Sequence, residues 1–354
     1  MASLNSLRLL MLFTMVLIFG TLFVLIAVAT TVFEAATDMP LWLSIPFSIL
    51  ISLVFVAIQW YTSPWIVAWA SRLQYLKPGE NKWLEQVVGQ LAKDAGVPMP
   101  KLAIVPDPSP NAFVFGRTRG SSTLAVHQGL LAGLDKAEVT AVLAHEIGHL
   151  RHNDCMVMTI VSAVPIIAYM IGRTFINFRY FGGGSGDRKG GAAGLLAALF
   201  ITAITAWIVY FISQLLVMWL SRSREYYADA YSAYATKNPA ALSSALSKIA
   251  YGLSTSHSET TGLRSFYIGD PSTAKREIAD VMAHKDEYDL DKNGVLDEHE
   301  LQVAMQKQSQ SSWTKLNELF STHPTMYKRI ILLKSIEREM ETSTVSQADI
   351  YRLV

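Results

Sequence analysis

A chain of 354 residues allows two or three domains, but 51% hydrophobic against 17% charged residues is too apolar for an ordinary water-soluble chain. A formal charge of +1 leaves no basic surplus for holding a nucleic acid, and none is expected as a partner. The single cysteine, Cys155, excludes an intramolecular disulfide and a cysteine-rich zinc cluster.

In chain order, the first feature is an almost unbroken apolar run, Leu7–Phe33, long enough to cross a bilayer. It exceeds the core of a cleavable signal peptide, and a second run, Leu41 to about Trp60, follows at once. Trp42, Trp60, Tyr61 and Trp65 stand where interfacial aromatics belong. The link Glu34–Pro40 carries Glu34 and Asp38 and no basic residue, whereas Arg72, Lys77, Lys82 and Lys93 follow the second run. The positive-inside rule therefore puts the link outside and the stretch after the second run in the cytoplasm.

From Asn81 to Gly96 an amphipathic helix is expected, with Trp83, Val87, Val88 and Leu91 on one face and Gly96 ending it. The period then changes. Leu102–Val105, Ala112–Phe115 and Thr123–Val126 read as short strands separated by Asp107–Pro110 and Gly116–Gly120. An edge strand in such a sheet can take an extended peptide by strand addition.

Val139–Asp154 reads VTAVLAHEIGHLRHND. His145 and His149, four apart on a helix, project from one face, so their imidazoles can converge on a metal ion with Glu146 beside them. This is the H-E-x-x-H spacing of zinc hydrolases, in which the metal lowers the pKa of water and the glutamate takes its proton during attack on a carbonyl. The competing reading is a chance pattern on a solvated helix. Against it stand the good helix formers of Lys136–Ala144 and the placement of Gly148. Glycine costs roughly 1 kcal/mol inside a helix and is kept where something must approach closely. Cys155 follows so closely that a nucleophile is conceivable, but a small buried residue at the membrane end of the helix accounts for it.

The helix is expected to run straight on into a third apolar run, Met156–Gly172, broken only by Pro165. A fourth run, Leu195–Leu220, follows the glycine-rich Gly182–Gly186. If both span, the loop Arg173–Gly194 lies outside, yet it holds Arg173, Arg179, Arg188 and Lys189 against Asp187. Either the first hairpin outweighs this contradiction of the charge rule, or the second hairpin does not fully cross. Beyond it, Ser221–Asp229 places Glu225 and Asp229 at i, i+4. They read either as a solvated acidic face balancing Arg222 and Arg224, or as a third metal ligand, Glu225, with Asp229 holding an imidazole in its tautomer.

HEIGH, Asp154, SRSREYYAD and Thr322-His323-Pro324 with Arg329 together resemble the M48 peptidase family, closest to its bacterial and archaeal HtpX-type heat-shock members, over Leu102 to about Leu333. The resemblance implies a mainly α membrane protein whose zincin-like (gluzincin) metalloprotease domain carries a small β-sheet and about four transmembrane helices. Residues 1–70 form the first membrane hairpin, 71–155 the first part of the catalytic domain, 156–220 the second hairpin and 221–354 the rest. His145, His149 and Glu225 would bind one Zn²⁺, and Glu146 would serve as general base and then proton donor. Asp229 and Asp154 would support the ligands, His323 would stabilise the oxyanion, and Arg329 would support the His323 segment. Asn111, Ala112 and Phe113 resemble the family's substrate-binding edge. His127, His152, His257 and His284 lack such context and read as structural or exposed.

One stretch departs from the family. Asp289–Glu300 fits an EF-hand calcium loop, with Asp289, Asp291, Asn293, the Val295 carbonyl, Asp297 and Glu300 as oxygen ligands and Gly294 at the turn. It sits in an insertion of about 274–307, so Ca²⁺ is a possible second ion. The expected protein is a zinc metalloendopeptidase of the cell membrane, facing the cytoplasm, whose partners are the lipid bilayer and misfolded or damaged protein substrates. The alternatives weighed are a prenyl-protein peptidase of the same wider family, against which four apolar runs count, and a calcium-responsive membrane binding protein with an inactive site, which has no use for an intact Glu146.

Overall fold

The computed structural model describes residues 4–37, 41–181, 191–255, 318–342 and 345–354, together with the isolated positions 268, 275, 279, 287 and 303. The calcium-loop residues Asp289–Glu300, Gly182–Gly186, His257 and His284 lie outside the described residues. The chain divides into two units: Met1–Leu9, Pro64–Met156 and Met218–Val354 form one, Leu10–Ser63 and Val157–Val217 the other.

The second unit is built from stretches of four helices, α1 (Leu4–Thr37), α2 (Leu41–Ala70), α6 (Asp154–Phe181) and α7 (Gly191–Thr236). Leu25, Ala168, Ala206 and Val209 make a small buried cluster, with Ile171 and Tyr210 against it. Gly172 has a packing reason: a Cβ there would meet Trp207 Nε1 at 3.0 Å. Around this core Phe23, Leu53, Phe200 and Phe211 are each more than half exposed, an arrangement that water penalises and hydrocarbon does not. Among the described residues three helical stretches are long and apolar enough to cross a membrane, Ser6–Thr31, Asp154–Arg173 and Phe200–Thr236. The expected second span falls within α2 and is not one of these three.

The first unit holds the small mixed sheet in the order β1-β2-β4-β3, from β1 (Gln74–Tyr75), β2 (Lys101–Val105), β3 (Ala112–Phe115) and β4 (Thr123–His127). β2 runs parallel to β4 with Lys101 opposite Thr123, and β3 runs antiparallel to β4 with Ala112 opposite Val126. β3 therefore lies at one edge of the sheet, β1 at the other. Its inward side chains Phe113 and Phe115 pack with Val67, Val105 and Ala125.

α3 (Lys82–Ala95) begins where Asn81 Oδ1 accepts from the Leu84 N–H at 3.1 Å and ends at Gly96, whose φ of 68° is left-handed, so both boundaries are as the sequence implies. The short α4 (Gln128–Gly133) leads into α5 (Lys136–His152), and α8 (Pro239–Thr255), α9 (Met326–Thr342) and α10 (Gln347–Ile350) complete the described helices.

One expectation fails at the end of α5. The helix does not run straight on from Asp154: Asn153 adopts a left-handed conformation, φ 65°, its N–H returns to the His149 and Leu150 carbonyls, and α6 starts afresh at Asp154. Asparagine tolerates that region better than other non-glycine residues, so His-Asn-Asp is a helix stop written in the sequence and overlooked. Cys155 is half-buried rather than buried, its thiol donating to the Val114 carbonyl at 3.6 Å.

Candidate metal centre

The centre starts from how α5 is fixed. Asp135 caps it, accepting from the Ala137 and Glu138 N–H groups, while Glu138 reaches back to the Asp135 N–H and completes a capping box. The other Glu138 oxygen takes Ser244 Oγ at 2.7 Å and Lys248 Nζ at 2.5 Å, tying α5 to α8. At the far end Arg119 donates to the Leu150 and Arg151 carbonyls, satisfying acceptors that the helix leaves open. Gly148 earns its place by proximity: a Cβ there would lie 3.3 Å from Ala228 Cα and 3.1 Å from Tyr231 Cδ1, so α7 passes against α5 with no room to spare. Ser232 Oγ donates to the Ala141 carbonyl at 2.6 Å along the same seam.

That contact brings Glu225 to the histidines. His145 Nε2 and His149 Nε2 lie 3.1 Å apart, with Glu225 Oε2 at 3.5 Å from the first and Oε1 at 3.4 Å from the second. One ligand atom from each of the three residues falls within 4.8 Å of the others, and all three side chains are buried. Each histidine turns its other nitrogen to a carboxylate: His145 Nδ1 to Asp229 Oδ1 at 2.9 Å, His149 Nδ1 to Asp154 Oδ2 at 2.7 Å. An imidazole whose Nδ1–H donates to a carboxylate presents a lone pair at Nε2. Two such lone pairs 3.1 Å apart beside a carboxylate repel unless a positive charge lies among them. Burial alone would push His145 down, but its bonds to Asp229 and Glu225 outweigh it and carry the imidazole up to about 9, with Arg329 acting against them. A cluster that favours an extra proton there suits a cation equally, and the donor set of two imidazoles and one carboxylate fits zinc.

Glu146 is 1% exposed, and its Oε2 has no hydrogen-bond partner among the described residues. Burial pushes its carboxyl up while the His145 and His149 imidazoles pull it back. A solvated helix face is thereby excluded for the motif, and likewise for Glu225 and Asp229, 5% and 0% exposed. His323 is also brought in, Nε2 at 3.9 Å from Glu225 Oε1. Its segment is held by Arg222, which donates to the Glu318, Leu319 and Ser321 carbonyls, and by Ser321 Oγ, which donates to the His323 carbonyl.

Arg329 sits elsewhere than in support of that segment alone. Fully buried, it grips Asp229 through Nε and Nη2 at 2.8 and 2.7 Å and lies 3.4 Å from Glu225 Oε2, so its charge bears on the ligands themselves. The Asp229 carboxylate holds the guanidinium charged against its burial.

Asn111, Ala112 and Phe113 lie at the start of the sheet edge and are all fully buried. The outward Ala112 carbonyl accepts from the Ile268 N–H at 3.1 Å, and Asn111 Oδ1 accepts from the Ala112 and Ile268 N–H groups. Sequence reasoning missed Ile268, and it passed over Arg224 as a surface charge. A basic residue directly before a buried glutamate was the signal available for the second.

His127 and His152 are structural, as expected. His152 Nε2 pairs with the Tyr351 hydroxyl at 2.9 Å among the rings of Tyr227, Tyr231 and Tyr351, and His127 Nδ1 lies 3.2 Å from Ser109 Oγ. Burial pushes each down to about 4, against an ordinary value near 6.5. Between those two values the unfolded chain binds more protons than the folded one, so this stability is present above pH 6.5 and is lost as pH falls toward 4. The melting temperature in detergent is expected to fall from pH 7.5 to pH 5, with a shallower slope in His152→Gln. An equal slope in both proteins refutes the assignment.

The chain is similar to known proteins in three comparisons. The family model described as Peptidase family M48 matches residues 78–337. A protein named Protease HtpX homolog from Aeropyrum pernix is 35% identical over 289 residues, covering 80% of this chain and 84% of the relative. Another of that name from Methanothermobacter thermautotrophicus is 36% identical over 249 residues, covering 70% of this chain and 88% of the relative. The crystal structure of S. mikatae Ste24p aligns over 93% of this chain and 65% of its own, slightly under two thirds, with a TM-score of 0.44 and 18% identity.

Proposed function

This chain belongs to the M48 peptidase family and is a protease, and from that premise we propose that it is a zinc metalloendopeptidase embedded in the cell membrane, which hydrolyses peptide bonds of misfolded or damaged membrane proteins from the cytoplasmic side. The observation that carries the chemistry is the convergence of His145, His149 and Glu225 within 4.8 Å, with Glu146 buried on the same helix. A zinc ion held by those three residues would supply Lewis-acid polarisation of the attacking water and the scissile carbonyl. Glu146 takes the proton from that water and returns it to the leaving amine. His323 donates to the developing oxyanion. Asp229 and Asp154 hold His145 and His149 with Nε2 facing inward, and Arg329 fixes Asp229 through two hydrogen bonds.

A substrate strand pairing with β3 at Ala112 must displace the Ile268 N–H from its carbonyl, so productive binding there costs one existing hydrogen bond. Four spans, α1, α2, α6 and α7, would give the two hairpins, with Arg173–Gly194 outside. Single cysteines at Ser185 and Ser256 in a Cys155→Ser background test that arrangement by labelling of intact cells, which should reach Ser185 and not Ser256.

The test of the reaction is digestion of unfolded casein by the full-length protein in detergent. Activity should disappear with a chelator and return with added zinc, and activity indifferent to the chelator refutes the zinc reading. Preference for unfolded over folded forms of the same membrane protein tests the substrate class. The Asp289–Glu300 loop is proposed to bind calcium weakly, in a range on the order of 10⁻⁵ to 10⁻³ M, because it lacks a partner hand in the sequence. Isothermal titration should detect calcium in the wild type and not in Glu300→Gln; equal heats from both refute it.

A further inference from the structure

The outermost members of the network around the two histidines are arginines, and they are held differently. Arg329 grips Asp229 through two aligned hydrogen bonds. Arg224, the residue before Glu225 on α7, lies with Nε 3.0 Å from Asp154 Oδ1, but the N–H is off the line and forms no hydrogen bond there. What joins the two is charge. Both are buried, Arg224 7% and Asp154 0% exposed, and the other Asp154 oxygen meets His149 Nδ1 at 2.7 Å.

The helix break explains how Asp154 reaches that nitrogen. On a continuous helix, residues five apart point about 140° away from each other, so Asp154 would face off from His149. The left-handed turn at Asn153 swings the carboxylate back beneath the imidazole. There one oxygen of the carboxylate faces His149 Nδ1 at 2.7 Å and the other faces the Arg224 guanidinium at 3.0 Å, so the group is held between the two and fixes the imidazole with Nε2 turned to the ligand cluster.

On these grounds we infer that Arg224 is a positioning residue for the metal centre, acting through Asp154 to keep His149 Nε2 available and aimed. The inference rests on the zinc reading of the site. It makes α7 responsible for two of the three ligands, Glu225 directly and His149 through the adjacent arginine, in parallel with Arg329, Asp229 and His145.

The test is the rate at which full-length protein in detergent, carrying one zinc per chain, releases it to a chromogenic chelator. Arg224→Met should release zinc on the order of 10- to 100-fold faster than wild type, the usual cost of losing an outer partner of a ligand. Arg224→Lys, which keeps the charge, should restore most of the difference. Asp154→Asn should be as fast as Arg224→Met, and the double variant no faster than Asp154→Asn, because one residue acts through the other. Ser232→Ala serves as the control for packing, since it loosens the α5–α7 seam: it should lower the melting temperature without changing release. Release from Arg224→Met within about twofold of wild type, or a double variant in which the two effects simply multiply, overturns the inference. Should Arg224→Met fail to fold, Arg224→Lys with and without Asp154→Asn carries the same comparison, and multiplying effects there overturn it too. Wild type that holds no zinc refutes the metal reading itself, a different and earlier failure, and this inference falls with it.

Discussion

Glu146→Gln is expected to lower peptide hydrolysis by on the order of 10²- to 10⁴-fold while the protein still carries about one zinc per chain. The amide keeps the size of the carboxylate and its place on α5, between His145 and His149, but cannot accept the proton from attacking water. The side chain is 1% exposed, so no solvent base can substitute at the same position. The three residues assigned to the metal are untouched. Casein digestion and metal analysis of the same preparation give the two readings together. An undiminished rate removes Glu146 from the mechanism, and loss of zinc along with activity makes it part of the metal's own support.

Glu225→Ala should separate from that variant by losing metal and activity together. The alanine leaves His145 and His149 as a two-nitrogen remnant, and the loss in zinc affinity should exceed the roughly 100-fold upper figure typical of removing an outer partner. It also takes a carboxylate away from Arg329, 3.4 Å distant, although the two Asp229 hydrogen bonds to that guanidinium remain. A fall in stability is therefore expected to be modest beside the loss of metal. Competition against a zinc chelator measures the affinity, and thermal melting of the metal-free proteins measures the rest. Wild-type affinity in this variant would move the third ligand to another residue, with His323, 3.9 Å from Glu225, a candidate.

Much of this centre was legible because it is written at helical spacing. His145 and His149 share a helix face by sequence separation alone, as do Glu225 and Asp229, and the apolar runs announce helices by length and composition. Three of the four strands were legible as short apolar runs between turn signals: Ala112–Phe115 is bounded as expected, two others differ by one residue at an end, and the two-residue Gln74–Tyr75 was missed. The resemblance supplied what spacing could not, the pairing of two distant helices.

The sequence by itself determined which residues can act, because periodicity and residue chemistry are local properties of a chain. The tertiary structure alone decided who holds them. Gly148 lets α7 close on α5, and Ile268 takes up the Ala112 carbonyl on the sheet edge. Arg224, read from the sequence as a solvated charge, and Arg329, assigned by the resemblance to the His323 segment, become buried partners of the two aspartates. Each depends on groups from separate elements meeting in a space closed to water, where an unpaired charge is expensive and pairing becomes obligatory. That requirement acts through space, between residues as far apart in sequence as Asp229 and Arg329, and leaves no local pattern to read.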